Sequence, residues 1–169
     1  STLARTLFPY TTLFRSVTLR WTVSNGPVCA ALTSDVTLTN DVLPVADAGT
    51  GGNVCGIGVA NSFVLSGSPT VGTGTWTKFS GPGAETFTNA NLSTSSVSVD
   101  AYGSYVFRWT EVNGTCSSFD DVTVVFWEAP SASVAGANQA LCNTSVFTLG
   151  ATVPVVGAGQ WSYVSGAAV

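Results

Sequence analysis

The chain of 169 residues contains no histidine and no methionine, and only 8% of it is charged. Without histidine, the side chain that most often moves protons near neutral pH is missing, and mixed Cys/His zinc sites are excluded. From residue 17 onward the only basic residues are Arg20, Lys78 and Arg108, set against nine acidic ones. Nucleic-acid partners are disfavoured, because binding a polyanion draws on clustered Lys and Arg that displace counterions. No run of eighteen apolar residues exists, so no membrane-spanning helix is encoded. Neither a Gly-x-Ser-x-Gly elbow nor a phosphate-cradling loop is present, since Gly72-Thr-Gly74 leads into a strand pattern rather than a helix. Neighbouring Asp120 and Asp121 point to opposite faces of a strand and form no working carboxylate pair. The expectation is a chain without catalysis and without cofactors.

What is abundant is repetition. Arg20-Trp-Thr-Val-Ser-Asn-Gly-Pro-Val-Cys29 returns as Arg108-Trp-Thr-Glu-Val-Asn-Gly-Thr-Cys116, which puts Trp109 88 positions after Trp21 and Cys116 87 after Cys29. Ala48-Gly49 through Cys55 returns 87 positions later as Ala135-Gly136 through Cys142. Val71-Gly-Thr-Gly-Thr-Trp76 returns 85 later as Val156-Gly-Ala-Gly-Gln-Trp161. A fixed period with small insertions marks a tandem domain array. Residues 44–128 read as one complete repeat, 17–43 as the closing strands of the repeat before it, and 129–169 as the opening of the next. Residues 1–16 stand apart: Thr6-Leu-Phe-Pro-Tyr-Thr-Thr-Leu-Phe-Arg-Ser16 resembles a translated sequencing-library adapter, which implies a non-native segment outside the fold.

Within the complete repeat, period-two alternation and turn residues give short strands and no helical period. Phe63 and Leu65 share a face, Trp76 and Lys78 oppose Thr75, Thr77 and Phe79, and Val97 and Val99 point inward. Tyr105, Phe107 and Trp109 share one face of the strongest strand, with Asn113-Gly114 expected to supply the positive backbone angles of a tight hairpin. About seven strands in about 85 residues fit a two-sheet sandwich. Trp76, Tyr105, Phe107, Trp109 and Trp161 are assigned to the core. Trp127, which has no aromatic counterpart near Asn40 or Asp41, is the candidate surface contact. Exposed Trp21, Trp109 or Trp127 would instead serve to stack sugars.

Two cysteines per repeat, with no Cys-x-x-Cys spacing, point to a disulfide framework and an oxidising compartment. Pairing inside the repeat joins Cys55 to Cys116, and pairing across repeats joins Cys29 to Cys55 and Cys116 to Cys142. The first is favoured, with a stabilisation of roughly 4 kcal/mol in the chain-entropy picture. Calcium at a domain junction would draw on Asp47, Asp100, Asp120 or Asp121, although no recognised ligand spacing is present. Asn91, Asn113 and Asn143 open glycan-acceptor triplets, which matter only in a eukaryotic source.

Asp100-Ala-Tyr-Gly-Ser-Tyr-Val-Phe followed by a hairpin and a Val-Thr-Val strand resembles the end of a PKD or immunoglobulin-like domain. The Pro-x-Ala-x-Ala-Gly opening at Pro44 and Trp76 on a central strand resemble the beginning of one. With two cysteines per repeat, residues 17–169 are similar to the PKD-like repeats of very large secreted and cell-surface proteins of Bacteroidetes. At Trp76-Thr-Lys-Phe-Ser-Gly81 the chain departs from the Trp-Asp-Phe-Gly-Asp type of segment usual in PKD domains. The resemblance implies an all-β, immunoglobulin-like (PKD-like) sandwich repeat, one complete and two partial. It also implies an extracellular or cell-surface location and a structural or adhesive stalk role, with neighbouring repeats as partners. The competing expectation is an accessory module beside a secreted hydrolase, binding a surface glycan or protein. A row of exposed aromatics on one sheet face would favour that module, whereas Thr and Ser there would favour the spacer. The flanks, cut from their own repeats, are expected to fold poorly alone.

Overall fold

The structure, a computed structural model, describes residues 16–144 and 146–166. The adapter-like stretch lies outside these residues except for Ser16, which opens the first strand. In chain order the strands are β1 (Ser16–Val23), β2 (Leu32–Thr39), β3 (Gly52–Cys55), β4 (Phe63–Val64), β5 (Thr73–Ser80), β6 (Glu85–Phe87), β7 (Ser96–Val99), β8 (Gly103–Asn113) and β9 (Cys116–Trp127). One 3-10 turn, Val59–Asn61, is the helical content among the described residues.

Alternation decides which face of each strand is buried. Tyr105, Phe107 and Trp109 sit inward on β8, with Trp76 on β5 and Val122, Val124 and Phe126 on β9. They meet Leu65, Val97 and Val99 from the other side, with Phe63 and Phe87 packed at the margin. The first group belongs to a four-stranded sheet of order β3-β9-β8-β5 and the second to a three-stranded sheet of order β4-β7-β6. Two sheets closing on one shared core, with all neighbours antiparallel except β3 against β9, make an immunoglobulin-like sandwich. Aromatic rings fix the layer: Trp76 and Trp109 lie 5.1 Å apart between centroids, and Phe87 reaches across the sheets to meet Phe107 edge-on at 5.8 Å. At the start of β8 the Tyr105 hydroxyl donates to the Ala101 carbonyl and accepts from the Gly83 N–H, at 2.9 and 3.0 Å. That is the tyrosine corner typical of such sandwiches.

The β8–β9 turn corrects one expectation. Its two-residue loop is Gly114-Thr115, and only Gly114, at φ 59°, is left-handed, while Asn113 still pairs with Cys116 as the last rung. Only the first loop position needs a positive φ here, and Asn113 is freed to donate from its amide to the Val42 carbonyl.

Hairpin β1–β2 is built like β8–β9. Leu19 faces Val36 as Phe107 faces Val122, and Trp21 faces Ser34 as Trp109 faces Asp120. Among the described residues no second sheet covers its inner side, and Trp21 is 74% exposed where Trp109 is 1% exposed. The described residues of 130–166 form no strand, although Ser131 and Thr152 donate backbone bonds to Val156 and Val134. Left-handed glycines nevertheless recur at matched positions: Gly26 with Gly114, Gly49 with Gly136, and Gly72 with Gly157.

Candidate functional site

On the outer face of the four-stranded sheet, Thr75, Thr77, Thr110, Ser117 and Thr123 give mostly hydroxyls to solvent. Among them stands one aromatic cluster. The Arg108 guanidinium lies 4.2 Å from the ring centroid of Phe79 and 3.8 Å from that of Phe119, between the two rings. Its Nε and Nη2 both donate to the carboxylate of Asp121 at 2.8 Å. The Asp121 hydrogen bond raises the Arg108 pKa, and the bond from Arg108 holds Asp121 below the usual carboxylate value. Phe79 and Phe119 remain about 60% exposed. Trp127 is also exposed on this face, at the far end of β9, where its indole donates to Asn53 at 2.8 Å. The aromatics form two separate patches rather than one row.

Comparison between repeats separates scaffold from novelty. The Arg108–Asp121 pair has a twin in Arg20–Asp35, with bonds of 2.7 and 2.8 Å, so it belongs to the scaffold. The repeated signal Asp35-Val-Thr37, matched by Asp121-Val-Thr123, would have revealed it in the sequence. Phe119 and Phe79 have Thr33 and Val164 at the matched positions, so the aromatic clamp around the arginine is particular to the central copy.

Glu111 was not singled out by its sequence context, yet it is fully buried. Burial alone would raise its pKa. The Thr70 N–H and hydroxyl, the Trp109 indole and the Val71 N–H together outweigh that and hold it below the ordinary value. The Thr70 and Trp109 bonds measure 3.0, 2.8 and 3.0 Å. The matched positions carry Val23 and Val155 in place of Glu111 and Thr70, so the polar pair has no counterpart in the flanking sequences. With its acceptor capacity taken up and no opening to solvent, Glu111 acts as a clamp between β8 and the 70–71 loop.

Three of the acids considered for a calcium site are engaged with backbone donors. Asp47 accepts from the Gly49 N–H, Asp100 from that of Ala84, and Asp120 from that of Ala48. Ser118 accepts from the Ala46 N–H, so β9 lashes down the entering segment 46–48. Among the described residues no three potential metal ligands converge. An open concavity beside Pro130, Val134, Pro154 and Trp161 is lined by no titratable side chain.

Two assignments are corrected. All four cysteines are free thiols, and Cys55 and Cys116 lie at opposite poles of the sandwich. Cys55 pairs with Trp127 at the last residue of β9, whereas Cys116 is its first. A strand of twelve residues at about 3.4 Å each sets them roughly 37 Å apart, against a Cα limit of about 7 Å for a disulfide. Trp161 is 50% exposed rather than buried, because no facing sheet covers it among the described residues. Trp76, Tyr105, Phe107 and Trp109 lie in the core, exposed by 1% or less.

The pole carrying Cys116 also receives the chain from β2. Asp41 accepts from the Thr115 N–H at 3.0 Å, and the Cys116 Sγ approaches the Asp41 carbonyl at 3.6 Å. The segment that follows β2 thus runs directly onto the β8–β9 hairpin tip.

No family model matches the chain, and no curated protein matches it. The structure is similar to the solution structure of the PKD domain from KIAA 1837 protein, at 28% identity and a TM-score of 0.43, over 54% of this chain and 92% of that one. It is also similar to the crystal structure of domains 4 and 5 of the S-layer protein SbsC, at 20% identity and a TM-score of 0.28, over 66% of this chain and 77% of that one. The fold assignment stands on the strand order, the shared core and the tyrosine corner. No helix among the described residues is long and apolar enough to cross a membrane.

Proposed function

We propose that this chain is a segment of an extracellular or cell-surface tandem array of PKD-like sandwiches. Each sandwich serves as a non-catalytic spacer in a stalk, and its partners are the neighbouring repeats. The observation that carries this reading is the shared construction of β1–β2 and β8–β9: one register, one inner-face pattern and one Arg–Asp bridge in both. The tie from Asp41 to the Thr115 hairpin tip supports a defined junction, because it limits how far one sandwich can swing on the next. Glu128 stands 87 positions after Asp41, at the following junction. Such an array behaves as a row of locally stable units. Mechanical unfolding of concatenated copies of residues 44–128 tests it. Evenly spaced events, each releasing about 85 residues or about 280–310 Å of contour length, support a stalk of independent units, and a single gradual extension contradicts it.

A second reading, an accessory glycan- or protein-binding module, is favoured by one observation, the copy-specific Phe79–Arg108–Phe119 cluster on an otherwise hydroxyl-rich face. Glycan-array binding that disappears in a Phe79→Val, Phe119→Thr double variant would establish it.

A further inference from the structure

Cys55 and Cys116 stand at opposite poles of the central sandwich, and the junction with β2 shows how the poles of consecutive repeats meet. At the end of β3, Cys55 pairs with Trp127, and the Gly56 N–H donates to the Trp127 carbonyl at 2.8 Å. At the hairpin pole, the half-buried Cys116 thiol approaches the Asp41 carbonyl at 3.6 Å. Hairpin register relates the two carbonyls. Arg20 faces Asp35 as Arg108 faces Asp121, 86 positions on, and the same offset matches Asp41 to Trp127. We propose that Cys116 forms a disulfide with the cysteine that takes the place of Cys55 in the preceding repeat of the array. The bond staples each sandwich to its neighbour.

The Asp41 carbonyl is the common point. Transferred to the preceding repeat, the β3–β9 register sets the partner cysteine opposite Asp41, on a strand about 4.8 Å away. The glycine that follows it then donates to the Asp41 carbonyl, as Gly56 donates to Trp127. Because Cys116 approaches the same oxygen, both thiols come to Asp41 from its carbonyl side. Such a spacing is of the order of the Cα limit of about 7 Å for a disulfide. Inside one sandwich the two cysteines are roughly 37 Å apart.

A separate observation is that the junction is built to hold this approach. The Asp41 carboxylate accepts from the Thr115 N–H at 3.0 Å, and the Asn113 amide donates to the Val42 carbonyl at 2.7 Å. A Cβ on Gly114 would collide with the Asp41 carboxylate, so the hairpin tip is bare where the strand end seats. Both thiols lose a proton, and their two electrons pass to a disulfide oxidant, which departs as two thiols.

This inference rests on the repeat reading above, and its test fails separately from it. The full chain carrying residues 43–128 twice in succession contains one complete junction between two sandwiches. One variant keeps only Cys55 of the first copy and Cys116 of the second, with serine at every other cysteine. The reciprocal variant keeps only Cys116 of the first copy and Cys55 of the second. Every replaced thiol is exposed or half-buried, and near-ultraviolet dichroism of the Trp76–Trp109 pair checks that both variants are folded. In dilute glutathione disulfide, thiol titration and non-reducing mass spectrometry are expected to show an internal disulfide in the first variant. It should form about tenfold faster or more than any cross-link in the reciprocal one. A first variant that stays reduced or takes up only glutathione, or equal cross-linking in both, overturns the proposal. Evenly spaced unfolding of reduced concatemers is untouched by either result, so the stalk reading survives if the staple does not.

Discussion

Trp109 and Trp21 occupy the same position in the same kind of hairpin, with the same arginine one residue earlier and an aspartate bridging it from the facing strand. One is sealed and the other lies open. Local sequence explains the hairpin in both cases, through alternation, a left-handed glycine and a cross-strand ion pair. It does not explain burial, which requires the second sheet that β4, β6 and β7 supply to β8 alone. The comparison thus separates what a hairpin can do by itself, which is pair strands, from what needs a facing sheet, which is to form a core.

The largest effect expected is on that core. Trp109→Ala should destabilise the central sandwich by about 3–5 kcal/mol. Trp21→Ala, its counterpart, should leave the unfolding midpoint of the same domain almost unchanged. Denaturant unfolding followed by near-ultraviolet dichroism checks both, and equal losses would break the distinction between the two hairpins.

Next in size is the Glu111 clamp. Glu111→Val leaves the Thr70 and Trp109 donors buried without an acceptor, at a cost of about 1–3 kcal/mol. Adding Thr70→Val, which restores the residue types at the matched positions Val23 and Val155, should recover part of that loss through coupling of about 0.5–3 kcal/mol. The pH dependence has a definite sign. Glu111 titrates below its ordinary value of 4.5 in the folded state, so its contribution is complete above that value and declines as pH falls through the lower folded one. Acid unfolding of the wild type should therefore be steeper below about pH 4.5 than that of the Val/Val double variant.

Tyr105→Phe removes the hydroxyl that joins Ala101 to Gly83 and should cost about 0.5–1.5 kcal/mol. Thermal unfolding reads this as a lower midpoint, and no change would show that the corner is not holding the start of β8. The smallest effect belongs to Phe79→Val, an exposed side chain whose replacement should shift stability by no more than about 0.5 kcal/mol. A larger shift would move the aromatic clamp from the copy-specific surface into the scaffold.

The inward aromatics of β8 and the two inward valines of β7 were legible because alternation reports them directly, whereas on β5 alternation left the inward and outward roles of Trp76 and Phe79 open and only the recurrence of Trp76 as Trp161 pointed to the core. The cysteine relationship was not. It depends on β3 lying parallel to β9, a contact between residues about seventy positions apart that no local pattern encodes, and that pairing sends Cys55 to the far pole. Glu111 was hidden for a related reason. A charged residue near a strand end reads as solvated, and only the returning 70–71 loop encloses it. The Arg20–Asp35 and Arg108–Asp121 bridges were present in the sequence as a second repeated phrase, Asp-Val-Thr, but their contact depends on the hairpin register.

Hydrogen exchange on the full chain tests the central distinction most directly. Amides of β8 and β9 should exchange only through global opening and share one protection free energy, while those of β1, β2 and residues 130–166 should exchange orders of magnitude faster. Equal protection in the flanks and the centre would mean a single core runs through the chain, and would contradict a lone closed sandwich between two open halves.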